Sequence, residues 1–239
     1  MIEITIPVLD EESSLDENIR KVLAFTAGPF PDLQLVIADN GSTDKTPEIA
    51  SALQAEFPGK VRHLRLEERG VGRALKASWG GSTADIVGYF DLDLATDLKH
   101  LSDALPLLQT SEADIVTGSR LTRGAKVIGR SVVRATTSRV FNAIVKVMFN
   151  NRFSDGMCGF KFLKRSHFDT LTAAGATSDG WIYATEILIV GEKLGLNVLE
   201  IPVVWTDDPD SKAKIGKLAN EYIRSLRELR GTLKAANLM

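Results

Sequence analysis

The chain has 239 residues, 29 Lys and Arg against 31 Asp and Glu, a formal net charge of −2, and 44% hydrophobic residues. That composition is ordinary for a globular protein; it excludes a disordered chain and, being near neutral, argues against a nucleic-acid binder. Cys158 is the single cysteine, which excludes an internal disulfide and fits a reducing compartment, while the scattered His63, His100 and His167 argue against a His-based zinc site.

Residues 2–8 (IEITIPV) read as a strand straight after Met1, with no basic segment or cleavage site of a secretory signal. An acidic, helix-starting stretch follows, in which Ser13 or Ser14 caps the helix and Ile19, Val22, Leu23 and Phe25 form its apolar face. LQLVIAD (33–39) is a continuous apolar run suited to a strand buried on both faces. Then come a turn (NGSTDKT), helix 47–56, strand 61–67, a glycine turn, helix 73–80, strand 85–93, helix 97–109 and strand 113–120. Repeated βα units predict an α/β fold, a mostly parallel, doubly wound sheet with helices on both faces, and ligands at the carboxyl ends of its strands. With no repeat or linker, a single domain over 1–210 is expected, followed by a basic amphipathic helical extension over 211–239. In that extension Ile215, Leu218, Tyr222, Ile223, Leu226 and Leu229 recur at helical spacing between cations, a pattern that predicts packing against the domain.

No apolar run approaches the roughly 20 residues of a membrane span; 143–149 (AIVKVMF) is short and carries a charge. A cytoplasmic protein is therefore expected, with peripheral contact at the inner membrane face left open. Charge is unevenly placed. Between Asp114 and Asp155 there is no acid, whereas Arg120, Arg123, Lys126, Arg130, Arg134, Arg139, Lys146 and Arg152 lie there, interleaved with Val132, Val133, Val140, Phe141, Ile144 and Val145. The segment reads either as a solvated face or as a surface for phosphate or anionic lipid.

Asp91-Leu92-Asp93 falls at the end of a strong strand, where alternation points both carboxylates the same way. Two like charges that close resist joint ionisation unless a cation neutralises them, which suits a hard divalent ion completed by water and diphosphate oxygens; ordinary strand-end aspartates are the plainer alternative. Asp39-Asn40-Gly41-Ser42-Thr43-Asp44 is a good turn sequence, and Asp39 is placed to accept bonds from a base or ribose. Gly70-Val71-Gly72 lets a helix start approach a ligand, but without the third glycine of a dinucleotide fingerprint. Trp79, Trp181 and Trp205 are candidates for sugar stacking or for core, and Cys158 is read as a packed residue rather than a nucleophile.

In this order the segments resemble the family 2 glycosyltransferases: Pro7 with Asp10-Glu11, Asp39 with Gly41–Asp44, Gly70–Ala74, Asp91-Leu92-Asp93 and Gly118-Ser119-Arg120. Asp155 through Lys161, Trp181 with Glu186, Ile201-Pro202-Val203, Trp205-Thr206 and Ser211-Lys212 are similar to the dolichyl-phosphate (polyprenyl-phosphate) glucosyltransferase and mannosyltransferase branch. The resemblance implies a GT-A fold, a nucleoside-diphosphate sugar donor, UDP-glucose ahead of GDP-mannose, and Mg²⁺ or Mn²⁺. It further implies that Asp39 contacts the base, that Pro7, Glu11, Gly41, Ser42, Gly70 and Gly72 line the nucleotide pocket, and that Asp91 and Asp93 hold the metal and diphosphate. Arg120, Arg134 and Lys212 become phosphate contacts. Leu9 and Asn40 depart from the family's frequent aromatic and second aspartate.

The expected reaction is inverting transfer of a hexose to a polyprenyl phosphate. An anionic phosphate needs cations and little or no base, whereas a hydroxyl needs a general base. The alternative keeps the donor and uses a hydroxyl or amine of a soluble acceptor, with Asp155, Asp179 or Glu186 as base; each is equally readable as a cap or a helix residue. A non-catalytic nucleotide-sugar-binding protein is the remote alternative.

Overall fold

The computed structural model describes residues 1–207 and 215–239. Its elements are β1 (Ile2–Val8), α1 (Leu15–Thr26), β2 (Leu33–Asp39), α2 (Thr46–Glu56), β3 (Val61–Arg65), α3 (Val71–Gly80), β4 (Ile86–Phe90), α4 (Leu101–Gln109) and β5 (Ile115–Ser119), then β6 (Lys126–Ile128), α5 (Val132–Phe149), β7 (Phe160–Lys164), α6 (Phe168–Ala173), α7 (Tyr183–Lys193), β8 (Val198–Pro202), β9 (Val204–Thr206) and α8 (Ile215–Ala235). Seven strands form one sheet in the order β3-β2-β1-β4-β7-β5-β8. All pairs are parallel except those of β7, which runs against both β4 and β5. A parallel pair, β6 and β9, lies apart.

The expected mostly parallel, doubly wound α/β sheet is present, and strand alternation divides its core. Ile86 and Phe90 of β4 join a cluster with α1, α2 and α4. Val87 and Tyr89 join a second cluster with α3, α5, α6, α7 and α8. The expected apolar face of α1 packs as read, with Ile19 and Val22 buried and Leu23 and Phe25 against them. β2 is buried along nearly its whole length, as a strand covered on both sides must be. Gly88 has a specific cause: a Cβ there would stand 2.1 Å from the Phe162 ring on the neighbouring strand.

Several boundaries differ from the sequence expectation. The strand expected over 85–93 stops at Phe90, because Leu94 turns back to donate to the Asp91 carbonyl at 3.2 Å. Asp91 and Asp93 are therefore oriented by a turn, not by strand alternation. The helix expected over 97–109 begins as a single 3-10 turn, Leu98–His100, with Asp97 accepting from the Lys99 N–H. Ser14 precedes α1 without capping it; its hydroxyl instead donates to Glu11.

Tyr222, Leu226, Leu229 and Leu233 of α8 are buried, and Tyr222 meets Phe141 of α5 edge-on at 5.5 Å between ring centroids. This long helix shares the second core with α5 and α7. Leu226→Ala leaves a cavity in that core and is expected to cost about 2–5 kcal/mol, lowering the urea midpoint of the whole chain in one transition; a change confined to helix content with an unmoved midpoint would contradict that packing.

Candidate active site

The carboxyl ends of the parallel strands converge on one edge, where the residues before antiparallel β7 also arrive. At the ends of β1 and β2 the loops are tied together. The Asp10 N–H donates to Ser42 Oγ at 3.0 Å, and Asp10 Oδ1 accepts from the Thr43 N–H at 2.8 Å. The Glu11 N–H donates to Thr46 Oγ1 at 2.8 Å. Asp39 is fully buried; one oxygen accepts from the Ser42 N–H at 2.8 Å and the other from Arg65. His63 Nε2 lies 3.8 Å from that carboxylate. Burial holds the imidazole's pKa down, against the raising effect of Asp39. Gly41 takes φ +76, and a Cβ would meet the Glu67 carbonyl at 3.2 Å, so only glycine suits this turn. Pro7, Glu11, Asp39, Gly41 and Ser42 are thus gathered at one place, with Asp39 already committed to Arg65.

Gly70 and Gly72 have a reason that the sequence did not disclose. The start of α3 is closed by protein, the Gly72 N–H donating to the Gly180 carbonyl at 3.2 Å and the Arg73 N–H to the Asp179 carbonyl at 3.1 Å. A Cβ on Gly70 would lie 2.4 Å from the Asp179 carbonyl oxygen, and one on Gly72 2.3 Å from that of Ser178. Both glycines admit the 178–180 backbone. The Gly180 carbonyl also accepts from the Tyr183 N–H at 3.3 Å, where α7 begins.

Asp91 follows β4 directly. Its Oδ1 is buried without a hydrogen-bond partner, and Gly159 leaves the room it occupies, a Cβ there falling 1.9 Å from Oδ2. Burial first and the Asp93 charge second push the Asp91 carboxyl up to about 7. Asp93 is exposed, and its Oδ1 accepts from the Ala95 N–H at 3.0 Å. Among the described residues no cluster of three His, Cys, Asp or Glu side chains offers a complete metal cage. An orphaned buried carboxylate oxygen beside a second carboxylate nevertheless fits a hard divalent ion that takes its remaining oxygens from water and a diphosphate. A small cavity opens beside Asp91 between Tyr89, Met157, Trp181, Thr185 and Tyr222; Trp181 is 46% exposed.

Arg120, just past β5, is buried against Asp155. Its Nε donates to Oδ2 at 2.7 Å, an NH2 nitrogen donates to Oδ1 at 3.0 Å, and its backbone N–H reaches Oδ2 at 3.1 Å. Burial pushes the Asp155 carboxyl up, but the Arg120 bonds and charge outweigh it and hold the group below the ordinary carboxylate range. The Trp205 ring lies under the guanidinium at 4.7 Å. Arg134 donates to Asp207 at 2.9 Å. Arg130 stands in the same electrostatic neighbourhood; its Nε is buried without a hydrogen-bond partner, and burial followed by the Arg120 charge lowers its pKa. Lys161 is fully buried, its ammonium donating to the Cys158 carbonyl. Burial pushes the Cys158 thiol up to about 12, as suits a packed, inert cysteine. Ser211 and Lys212 lie outside the described residues.

The carboxylates named as base candidates are all engaged. Asp155 is paired with Arg120. Asp179 bridges Arg73 and Lys76 at 2.8 and 2.7 Å. Glu186, 2% exposed, accepts from the Thr177 and Ser178 N–H groups at 3.1 and 3.0 Å and from the Ser178 hydroxyl. Asp207, Glu200 and Asn142 escaped the sequence reading. Glu200 on β8 accepts from the Ser154 and Asp155 N–H groups, and Asn142 on α5 from the Gly156 N–H. Nothing local in the sequence marks them, because their partners lie 14 to 73 residues away.

Asp91 yields a stability prediction with a definite sign. Its folded-state pKa lies above the unfolded value, so ionisation costs stability, a loss that develops as pH rises from about 4 to about 7. Asp91→Asn is therefore expected to raise the melting temperature of the metal-free protein at pH 8, and to remove the further rise expected of the parent chain with Mn²⁺ and UDP. Equal metal-dependent shifts in both proteins would remove Asp91 from the site.

Residues 3–172 match the family model described as Glycosyl transferase family 2. The chain is 30% identical over 217 residues to glycosyltransferase AglD of Haloferax volcanii, covering 90% of this chain and 34% of that protein. It is 29% identical to a dolichyl-phosphate beta-glucosyltransferase of Dictyostelium discoideum, over 83% of this chain and 61% of the relative. It thus spans about a third and about three-fifths of these two. Among solved structures, glucosyl-3-phosphoglycerate synthase from Mycobacterium tuberculosis with Mn²⁺, UDP-glucose and phosphoglyceric acid superposes with a TM-score of 0.71 at 18% identity, over 97% of this chain and 80% of that one. The shared architecture is the GT-A fold. With its ordered motifs gathered at one edge of that sheet, and a family model matching most of its length, this chain belongs to glycosyl transferase family 2.

Proposed function

We propose that this glycosyltransferase moves a hexose, with inversion, from UDP-glucose in preference to GDP-mannose onto a polyprenyl phosphate. The observation that carries this reading is the engagement of Asp155, Asp179 and Glu186. Asp155 is locked to Arg120 below its ordinary pKa, Asp179 is held by two cations, and Glu186 is buried under backbone donors. An acceptor that arrives already ionised asks for none of them. Arg130 and Arg134 suit such an acceptor, since the Arg130 Nε has no partner and arginine's fork matches phosphate geometry, while Arg120, committed to Asp155, orders the loop beside them. Lys212 joins this proposal on the family resemblance alone.

When bound at Asp91 and Asp93, Mg²⁺ or Mn²⁺ supplies Lewis-acid stabilisation of the leaving diphosphate. The chain's own residues do the rest. The turns at Asp10–Glu11 and Asp39–Ser42 present the nucleotide pocket, and Gly159 lets Asp91 sit where the diphosphate ends. Arg130 and Arg134 hold the acceptor oxygen in line with the anomeric carbon, worth much of the barrier through orientation alone. Relatives named dolichyl-phosphate beta-glucosyltransferase, from Dictyostelium discoideum and Saccharomyces cerevisiae, support both glucose and a lipid phosphate. The structural relative crystallised with phosphoglyceric acid favours a second reading, a soluble acceptor with the same donor.

The deciding experiment incubates the chain with Mn²⁺ and UDP-glucose, and offers a short polyprenyl phosphate, the matching polyprenol, or 3-phosphoglycerate. Glucosylation of the polyprenyl phosphate alone is expected; transfer to the polyprenol or to phosphoglycerate instead would overturn the reading. Asp179→Asn is expected to keep turnover within about threefold, since an exposed ion pair contributes little, whereas a loss of about 10²-fold or more would identify Asp179 as a general base. Asp155→Asn is the poorer probe, because removing one partner of a buried pair costs about 3–5 kcal/mol of stability and confounds turnover with folding.

A further inference from the structure

Strand β9 lies outside the seven-stranded sheet, yet it carries Trp205 under Arg120 and leads to Asp207, which pairs with Arg134. Its companion β6 is a weak anchor, all three residues being exposed. The inner side of β9 is held instead by the stretch that follows Asp93. The Thr206 N–H donates to the Ala95 carbonyl at 2.8 Å, the Asp97 N–H donates to the Val204 carbonyl at 3.1 Å, and Thr96 bridges antiparallel to Trp205. Ala95 is also the residue whose N–H meets Asp93 Oδ1. The turn that presents Asp93 and the strand that presents Trp205 thus share one residue.

One side chain joins this backbone attachment. The Val204 N–H donates to Nε2 of His100 at 2.9 Å, and His100 is only 6% exposed. A backbone N–H can only donate, so Nε2 is the ring's acceptor and Nδ1 carries the proton. Nδ1 in turn donates to Asp103 Oδ2 at 2.8 Å. The two nitrogens have separate partners, one on β9 and one in the first turn of α4. β9 is three residues long, so each bond is a large share of what fixes its place. Removing the acceptor would leave the half-buried Val204 N–H without this partner, at a cost that is larger than the bond's net worth.

We infer that His100 is a positioning residue for glycosyl transfer: by holding β9 against the stretch after Asp93, it sets Trp205 under Arg120 and Asp207 beside Arg134. On the reading of the site proposed above, this fixes the acceptor's cations relative to the carboxylates that hold the metal. His100 touches neither substrate. It acts through the strand that it pins.

Two substitutions separate the ring's nitrogens. Glutamine sets its carbonyl oxygen where Nε2 stands, so His100→Gln keeps the acceptor for Val204; asparagine sets its amide nitrogen where Nδ1 stands, so His100→Asn keeps only the donor to Asp103. The full chain labelled with 5-fluorotryptophan gives one fluorine resonance for each of its three tryptophans, and Trp205→Phe assigns that of Trp205. In the ligand-free protein the Trp205 resonance is expected to stay in place in His100→Gln and to move in His100→Asn. The resonance of Trp79, in the other core cluster, should not move in either. With Mn²⁺, UDP-glucose and a short polyprenyl phosphate, His100→Asn should raise KM for the acceptor about tenfold, the worth of one hydrogen bond, and leave KM for UDP-glucose unchanged. His100→Gln should restore the parent values. An unmoved Trp205 resonance in His100→Asn would overturn the inference, because β9 would then be held without the ring. So would a His100→Gln variant as impaired as His100→Asn, which would assign the ring to α4 alone, or an equal rise in both KM values. The fluorine measurement uses no substrate, so failure of the parent chain to glucosylate polyprenyl phosphate would refute the proposed reaction and leave the hold on β9 to be judged by the Trp205 resonance.

Discussion

The bidentate pair between Arg120 and Asp155 organises the side of the sheet edge built by β5, β7 and β8. Arg120 leaves the end of β5, and Asp155 belongs to the loop that feeds β7. The same loop is held by Glu200 from β8, by Asn142 from α5, and by Thr185 of α7, whose hydroxyl donates to the Gly156 carbonyl at 2.9 Å. Four elements therefore meet through one short segment. Gly156 is its close-packed point, since a Cβ would lie 2.8 Å from Thr185 Cγ2. A buried pair of this kind adds little net stability over an apolar substitute, yet is costly to break. Its effect is on geometry: it holds the 155–159 loop where Gly159 makes room for Asp91.

That arrangement has an electrostatic consequence. The segment from Arg120 to Arg152 carries eight cations and no acid, but the field at the site is not the sum of eight charges. Arg120 and Arg134 are largely balanced by Asp155 and Asp207, which arrive from elsewhere in the chain. Arg130 has a buried Nε without a partner, and burial and the Arg120 charge lower its pKa. Arg139, Lys146, Arg123 and Lys126 lie on the surface. One sequence block therefore serves two purposes, a focused site and a dispersed basic face, and folding separates them by giving some of its members counter-ions.

The N-terminal half was readable because its signals are local. Alternating strand and helix patterns located β1 through β5 to within a few residues, and the Asp39–Asp44 turn and Asp91–Asp93 are each contained in a few consecutive positions. What escaped depended on long-range contact. Gly70 and Gly72 look like a ligand-facing turn in the sequence, yet their missing side chains admit the backbone of residues 178–180, more than a hundred positions away. Asp155 and Glu186 look like available bases until burial and their donors are known. The end of β4 was misjudged because Asp91-Leu92-Asp93 continues the apolar alternation, while Leu94, at φ 52, breaks it one residue later.

Asp91 is where local rules are broken most plainly. A carboxylate with an unpartnered buried oxygen, next to a second carboxylate, costs the folded state stability at neutral pH. Simple remedies were available: a donor could occupy the space over Gly159, or an asparagine could replace the acid. The fold instead keeps that space open with a glycine and anchors the loop around it with the buried Arg120–Asp155 pair. Local conflict of this sort persists where the missing partner arrives with a ligand. The same reasoning applies to Arg130, whose Nε is also buried without a partner. The two defects have opposite charge, and in the proposed reaction each would meet one end of the transfer, a cation with its diphosphate at Asp91 and an anionic acceptor at Arg130.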